Sequence, residues 1–200
     1  PFSQNDLLFR IGIGAPLYVN DADTNLDEWC IAPGNDANDG FTTASPKATL
    51  SSTLAAYPLG TGDVVRIDTG SYAIDAGVTV PASSDGTAEL PVIIEGSPYG
   101  VAMFRAGATA GSKAFAVEGQ YVTLRTASGI RHPNAPCTMM TIGGGETTLY
   151  SQYAHGLRLE ALRLTSGKYG LQNSGSDNGV MRNCLVDHTG VAGLYSIGSE

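Results

Sequence analysis

Charged residues and long apolar runs are both scarce in this sequence of 200 residues. Charged residues make up 15% of the chain, well below the roughly 25% of an average globular protein. The longest apolar runs are only a handful of residues, far short of the ~20 that a membrane-spanning helix needs. These absences exclude coiled coils, charged disordered tails and insertion into a membrane.

Basic residues are also few. Eleven Lys and Arg stand against nineteen Asp and Glu, which gives a formal net charge of −8. This charge opposes the electrostatic attraction that dominates nucleic-acid binding, so we expect no nucleic-acid partner. It would also repel an acidic polysaccharide unless cations or a local basic patch intervened.

The three cysteines, Cys30, Cys137 and Cys184, show no C-x-x-C spacing, which argues against a zinc site. An odd number leaves at least one thiol unpaired within the chain. Buried free thiols are the favoured interpretation, and one disulfide is left open.

What the sequence does have is glycine, 26 residues of it, between short runs rich in β-branched residues. A helical pattern occurs only from Ser45 to Tyr57, where Ser45-Pro46 predicts the helix start. Two-residue hairpin turns between strands are lacking, which disfavours antiparallel hairpins. The predicted strand segments are Val64–Ile67, Val78–Val80, Val92–Ile94, Phe115–Val117, Tyr121–Leu124, Leu157–Leu159, Leu162–Leu164 and Leu185–Val186.

A repeat organises the C-terminal part. Residues 156–176 match residues 179–199 at an offset of 23, including the pairs Gly167 with Gly190 and Leu171 with Leu194. A period of this length, with short strands and Gly or Asn at the corners, is typical of one coil of a parallel β-solenoid. The helix would then cap the first coil, whose backbone edge and apolar interior need cover.

The segment from Tyr18 to Gly96 resembles the start of extracellular right-handed parallel β-helix proteins of the pectate-lyase-like superfamily. The resemblance is carried by Tyr18-Val19-Asn20, Gly34-Asn35-Asp36-Ala37-Asn38-Asp39-Gly40, Ser45-Pro46-Lys47-Ala48-Thr49-Leu50, Gly62-Asp63-Val64-Val65, Thr69-Gly70-Ser71-Tyr72 and Ser84 to Ile94. It implies an extracellular or cell-surface location. Polysaccharide lyases of this group use a Lys or Arg base with Ca²⁺, but no catalytic motif of theirs matches here, so no catalytic residue is carried over.

We therefore predict an all-β fold, a right-handed parallel β-helix with a short N-terminal capping α-helix. Residues 1–17 form a lead-in, residues 18–62 an acidic loop with the capping helix, and residues 63–200 the coils. The chain shows no signal at either end, and we interpret it as a segment whose coils continue.

The acidic loop is the strongest candidate for a metal site. Asp21, Asp23 and Asn25 alternate as Ca²⁺ ligands do, and Asp36 or Asp39 could complete the set. The loop lacks the Gly and Glu that an EF-hand requires. The alternative is that these side chains form Asx turns, which satisfy nearby backbone groups.

Arg182, Asp187 and His188, with Lys168 one coil earlier, form a weak catalytic candidate because acid, base and cation are close in sequence. A solvated coil surface is the favoured alternative, because Asp187 differs in strand parity from Arg182 and His188.

Carbohydrate sites often stack a sugar on an aromatic ring, which makes Tyr169 and Tyr195 candidate ligand-binding residues. Arg158 and Arg163, together with Lys168, could form a basic strip for sugar carboxylates. Aromatic stacking within the solenoid is the alternative for the tyrosines.

The sequence favours a noncatalytic module of a large secreted or cell-surface protein, structural or adhesive, with glycan binding left open. Its partners would be polysaccharide or other surface-protein chains. One alternative is the N-terminal part of a Ca²⁺-dependent lyase, or a related glycan-active enzyme, acting on acidic polysaccharide. A second alternative is a self-assembling solenoid, since uncapped solenoid ends stack.

Overall fold

Every run predicted as a strand lies in or overlaps one in the computed structural model, which describes residues 15–128 and 139–197. The helix α1 spans Leu50–Ala56. The strands are β1 Leu17–Val19, β2 Val64–Ile67, β3 Gly70–Ala73, β4 Val78–Val80, β5 Val92–Gly96, β6 Val101–Arg105, β7 Lys113–Val117, β8 Val122–Thr126, β9 Met140–Gly144, β10 Thr147–Gln152, β11 Arg158–Glu160, β12 Leu162–Thr165, β13 Tyr169–Ser174, β14 Val180–Arg182, β15 Leu185–Asp187 and β16 Ala192–Ile197.

Within the described residues, five successive coils each contribute one strand to each of three parallel sheets. Sheet A has the order β1-β2-β5-β8-β11-β14, sheet B the order β15-β12-β9-β6-β3, and sheet C the order β16-β13-β10-β7-β4. Each strand pairs with its equivalent one coil away, so residues in register stack at about 4.8 Å. The predicted all-β parallel β-helix with one short helix is confirmed.

The core is built from side chains that point into the coils at equivalent positions. In sheet A, Val65, Ile94, Leu124 and Leu159 stack in register, each at most 2% exposed. Burying one such side chain stabilises the fold by about 1.5–3 kcal/mol. Alternation within each strand then places the neighbouring side chains on the outer face, which is where a binding site can form.

The predicted helix start at Ser45 was wrong. The N-cap is Thr49, whose hydroxyl accepts a hydrogen bond from the Ser52 N–H at 3.1 Å. The residues before it are extended because Lys47 is bonded to the first strand, with its N–H donating to the Tyr18 carbonyl. Leu50 is buried in the core, so the helix covers one part of the first coil.

The repeat is real, but its predicted uniform offset of 23 was wrong in two of the three sheets. Leu159 pairs with Met181 and Leu164 with Val186, each 22 positions apart, whereas Leu171 pairs with Leu194, 23 apart. The extra residue therefore lies in the turn that follows β15.

The corner between β11 and β12 is the single residue Ala161, whose φ of 54° lies in the left-handed region. Asn183 adopts the same conformation one coil later, with φ 53°. This sharp turn puts the end of β11 at the rim between sheets A and B.

Cys30 is a buried free thiol and Cys184 a half-buried one, which supports the favoured interpretation for these two. Cys137 lies outside the described residues, as do residues 1–14 of the predicted lead-in. Among the helices that the structure describes, none has the length and apolar character needed to cross a bilayer.

Candidate functional site

The outer face of sheet A carries a row of alternating charges, one per coil. The register aligns Arg66 of β2 with Glu95 of β5, then Arg125 of β8, Glu160 of β11 and Arg182 of β14. We call this row the charge ladder. Neighbouring members are about 4.8 Å apart at their backbones, because each is one coil from the next.

Glu95 holds the first half of the ladder together. Its side chain is 5% exposed, and both of its carboxylate oxygens are engaged. Arg66 donates through Nε to Oε1 at 2.9 Å, and Arg125 donates to Oε2 through Nη2 at 2.7 Å and Nε at 3.0 Å. Charge-assisted bonds of this kind fix the positions of all three side chains.

The second half of the ladder is open. Across residues 15–128 and 139–197, neither Glu160 nor Arg182 has a side-chain ion pair or hydrogen bond. Glu160 is half-buried and Arg182 is exposed. The ladder thus presents one carboxylate acceptor and one guanidinium donor that are available to a ligand.

Residues outside the ladder complete a groove on this face. Glu28 and Trp29 line it, together with residues 126–128 and the corner residues Ala161 and Asn183. The groove encloses about 550 Å³. Among the described residues, three Glu and three Arg side chains line it, so the formal charges of these residues balance although the whole chain carries −8.

Trp29 provides an aromatic surface in this polar groove. The Arg66 guanidinium carbon lies 5.1 Å from the centroid of the ring, a cation–π contact. Trp29 is the sole tryptophan of the chain. Aromatic rings beside hydrogen-bonding groups are a common feature of sites that bind sugars.

Residues 26–30, which we call the wall segment, are attached to the coil through the buried carboxylate of Asp68. Asp68 directly follows β2, is fully buried, and accepts hydrogen bonds from three consecutive backbone N–H groups. The donors are Glu28 at 2.7 Å, Trp29 at 2.9 Å and Cys30 at 2.6 Å. This long-range contact explains how an irregular loop positions Trp29 against sheet A.

The acidic residues predicted to hold Ca²⁺ mostly accept backbone hydrogen bonds. Asp21 accepts from the N–H groups of Asp23 and Ser71, and Asp23 accepts from that of Asn25. The contacts of Asp21 with Asp23 and of Asp23 with Asn25 are the Asx turns of the alternative interpretation.

The other two members of that set serve different sites. Asp36 accepts from the N–H groups of Ala48 and Thr49 before the helix, and Asp39 accepts from the Phe41 N–H. Among the described residues, no group of three His, Cys, Asp or Glu side chains is arranged to hold a metal ion. The calcium site stays a prediction.

The weak catalytic candidates are distributed over three sheets. Arg182 lies in the sheet A groove, Asp187 and His188 lie at the end of β15 in sheet B, and Lys168 precedes β13 of sheet C. Asp187 is 3.3 Å from His188 Nδ1.

Arg163 is the main partner of Asp187. Its Nη2 lies 2.7 Å from the carboxylate, and its hydrogen bonds hold the pKa of Asp187 well below the usual range. Lys168 is 3.1 Å from Glu146 on the sheet C side. The four candidates therefore form no common site, and their catalytic role stays a prediction.

The structure brings together the two tyrosines predicted to bind a ligand. The rings of Tyr169 and Tyr195 stack, with centroids 5.2 Å apart and planes 28° apart. They lie on the outer face of sheet C, whereas Arg158 is in sheet A and Arg163 in sheet B. The predicted basic strip is therefore divided between different faces.

Sequence reasoning missed the charge ladder and Trp29. The reason is that the coils differ in length: Arg66 and Glu95 are 29 residues apart, Glu95 and Arg125 are 30 apart, and the next intervals are longer and then shorter. A search at one fixed period cannot align these residues. The one available signal was the placement of an Arg or Glu near the end of successive predicted strands.

The fold is similar to that of a GH136 lacto-N-biosidase from Eubacterium ramulus, with a TM-score of 0.56 and 17% identity over 96% of this chain and 37% of that chain. The selenomethionine derivative of that protein gives a TM-score of 0.55 with the same identity and coverage. This chain thus spans about 37% of the length of the neighbour. At this identity the likeness shows the fold alone.

No family model matches the chain, and no curated protein sequence matches it. The resemblance to β-helix proteins is confirmed at the level of the fold. Membership of the pectate-lyase-like group stays a prediction.

Proposed function

We propose that this chain is a glycan-binding β-helix module whose ligand lies in the sheet A groove. The observation that carries the proposal is the combination of Trp29 with the open end of the charge ladder, Glu160 and Arg182. The ring offers a stacking surface, the carboxylate accepts from sugar hydroxyls, and the guanidinium donates to sugar oxygens.

We further propose that the ligand is a neutral oligosaccharide. The formal charges of the described residues that line the groove cancel, so these residues offer no net attraction to a polyanion, and the chain as a whole repels one. The named activity of the structural neighbour, a lacto-N-biosidase, supports a glycan ligand.

Calorimetric titration of the chain with three oligosaccharides tests this proposal. A lacto-N-biose oligosaccharide and a gluco-oligosaccharide are neutral, and an oligogalacturonate is acidic. We expect one of the neutral ligands to bind with a Kd of about 10–1000 μM, and the acidic ligand to bind at least about tenfold more weakly. Preference for the galacturonate would contradict the neutral ligand.

Two variants assign the binding to a face. Trp29→Ala removes the ring from the groove and should weaken binding by about tenfold or more, as loss of an aromatic hot spot does. Tyr195→Ala is the matched control on sheet C and should change the affinity by less than about twofold. The reverse pattern would move the site to the tyrosine face.

The other expectations are proposals with their own tests. We propose that the module is extracellular and has a structural or adhesive role. We also propose that it is noncatalytic, so incubation with these oligosaccharides should release no shorter product. The Ca²⁺-dependent lyase alternative predicts an unsaturated, ultraviolet-absorbing product from galacturonate. The self-assembling alternative predicts scattering that grows with protein concentration.

A further inference from the structure

The wall segment of the groove, residues 26–30, is held by hydrogen bonds near both of its ends. Leu26 has a left-handed φ of 64°, and its carbonyl accepts a hydrogen bond from Thr69 Oγ1 at 2.8 Å. Asp68 binds the next backbone N–H groups, those of Glu28, Trp29 and Cys30. Asp27 lies between these attachments.

Asp27 and Asp68 have very different hydrogen-bond environments. Asp68 accepts four backbone N–H donors, the fourth from Thr69 at 2.8 Å, so its negative charge is well solvated by the protein. Asp27 has the Asn20 amide on Oδ2 at 2.7 Å. Its Oδ1 is buried and has no partner among the described residues. A charged oxygen in that position is costly.

Three nearby carboxylates disfavour the negative charge of Asp27. Asp68 faces it from the end of β2, and Asp21 and Asp23 face it from the acidic loop. Cys30 of the same segment and Tyr72 of β3 also interact with it, and both are neutral acids.

Burial first, and then the Asp68 charge, raise the pKa of Asp27 to about 7, although the Asn20 hydrogen bond lowers it. The ordinary value is 3.8. Asp27 therefore gains or loses its proton near neutral pH, unlike an exposed carboxyl.

We propose that Asp27 is a proton-operated latch on the wall of the sheet A groove. With a proton, Asp27 is neutral beside the Asp68 carboxylate, and residues 26–30 stay attached and hold Trp29 in the groove. When the proton leaves to solvent, the Asp27 and Asp68 carboxylates repel each other. The buried Asp27 Oδ1, which has no partner among the described residues, then shares the negative charge. The segment then relieves this repulsion by loosening its bonds to Asp68.

The latch is tested without any ligand, through the fluorescence of the sole tryptophan. Between about pH 6 and about pH 8, the Trp29 emission and its quenching by acrylamide should change along a single titration curve with a midpoint near 7. Asp27→Asn keeps the shape and remains uncharged, so its Trp29 signal should be flat over this range. Asp23→Asn is the matched control on the same loop and should keep the transition.

A transition that persists in Asp27→Asn would overturn the latch, as would a flat curve in the unaltered protein. The second result needs no variant, so the proposal remains testable if Asp27→Asn folds poorly. Hydrogen exchange of the Glu28 to Cys30 amides, corrected for the intrinsic pH dependence of exchange, gives an independent measure: protection should fall above the midpoint.

The consequence for binding rests on the proposed function. If the groove binds a neutral oligosaccharide, its affinity should fall by about fivefold or more from pH 6 to pH 8, and it should not change in Asp27→Asn. If the affinity is independent of pH while Trp29 still shows its transition without ligand, the proposed pH regulation of binding would be wrong and the latch itself would stand. Absence of any binding with the transition intact would count against the glycan function alone.

Discussion

The outer faces of sheets A and C are built by the same stacking rule and differ in what stacks. In sheet A the register aligns Arg66, Glu95 and Arg125, whose opposite charges meet between coils. In sheet C it aligns Tyr150 with Gln172, and Gln172 with Tyr195. One rule of pairing therefore yields an ionic surface on one side and an aromatic surface on the other.

The two faces differ in how far loops shield them from solvent. The sheet A row is flanked by the wall segment that Asp68 holds, and Glu95 is almost inaccessible to water. The stacked Tyr169 and Tyr195 are more open, with Tyr195 43% exposed. Equivalent polar contacts should therefore contribute more to stability in sheet A than in sheet C, because solvent screens exposed charges.

Removing the Glu95 carboxylate, which joins Arg66 and Arg125, should have the largest effect on the free energy of unfolding. Glu95→Gln removes the carboxylate that pairs with Arg66 and Arg125, and breaking a buried ion pair costs about 3–5 kcal/mol. Because the two arginine side chains are 34% and 37% exposed, we expect a loss of about 2–3 kcal/mol in the free energy of unfolding. Urea denaturation measures it.

The matched control on the sheet C side is Lys168→Gln, which breaks the pair with Glu146. Both members are more exposed, at 45% and 22%, so the loss should be much smaller than in Glu95→Gln. Equal losses in the two variants would show that the wall segment does not shield the ladder from solvent. They would contradict the expected difference in stability between the faces of sheets A and C.

The second prediction concerns pH and applies to sheet A alone. The pKa of Asp27 is higher in the folded protein than the ordinary 3.8, so folding favours its protonated form. The stability that this proton provides is full below about pH 4 and is lost as the pH rises to about 7. Because the carboxyl is partly solvated, we expect a contribution of about 1–2 kcal/mol.

Urea denaturation at several pH values measures this slope, and Asp27→Asn should be more stable than the unaltered protein near pH 8. Tyr195→Ala, which alters only sheet C, should show the same pH slope as the unaltered protein. A slope unchanged by Asp27→Asn would assign the titration to another group.

The smallest of the three predicted effects on the free energy of unfolding is expected for the tyrosines of sheet C. Tyr195→Ala removes the ring that stacks on Tyr169, a contact that contributes about 1 kcal/mol. Tyr195→Phe keeps the ring and should be close to neutral. A loss in Tyr195→Ala as large as that in Glu95→Gln would mean that the tyrosine face, too, is a main contributor to stability.

The strands were predictable from local pattern, and the helix start was not. The predicted β-branched runs, such as Val64–Ile67, lie in or overlap strands because their side chains fit a pleated, half-buried surface. Ser45-Pro46 looks like a helix start, but pairing of Lys47 with the first strand extends the chain there. A tertiary hydrogen bond thus overrides the local preference.

The candidate site was largely beyond prediction because it depends on register between coils of unequal length. The two stacked tyrosines were found, since both lie in the one pair of coils with a clear repeat. The contact of Asp68 with Trp29 spans 39 residues and follows no sequence period. Only the fold brings such residues together.

The emission of Trp29 during titration with the oligosaccharide that binds in calorimetry shows whether the ligand lies on sheet A. A ligand in the sheet A groove should give a saturable change in emission with the calorimetric Kd, and this change should be retained in Tyr195→Ala. If the oligosaccharide binds in calorimetry without changing the Trp29 emission, and if this binding is lost in Tyr195→Ala, the ligand lies on sheet C and the sheet A site is contradicted.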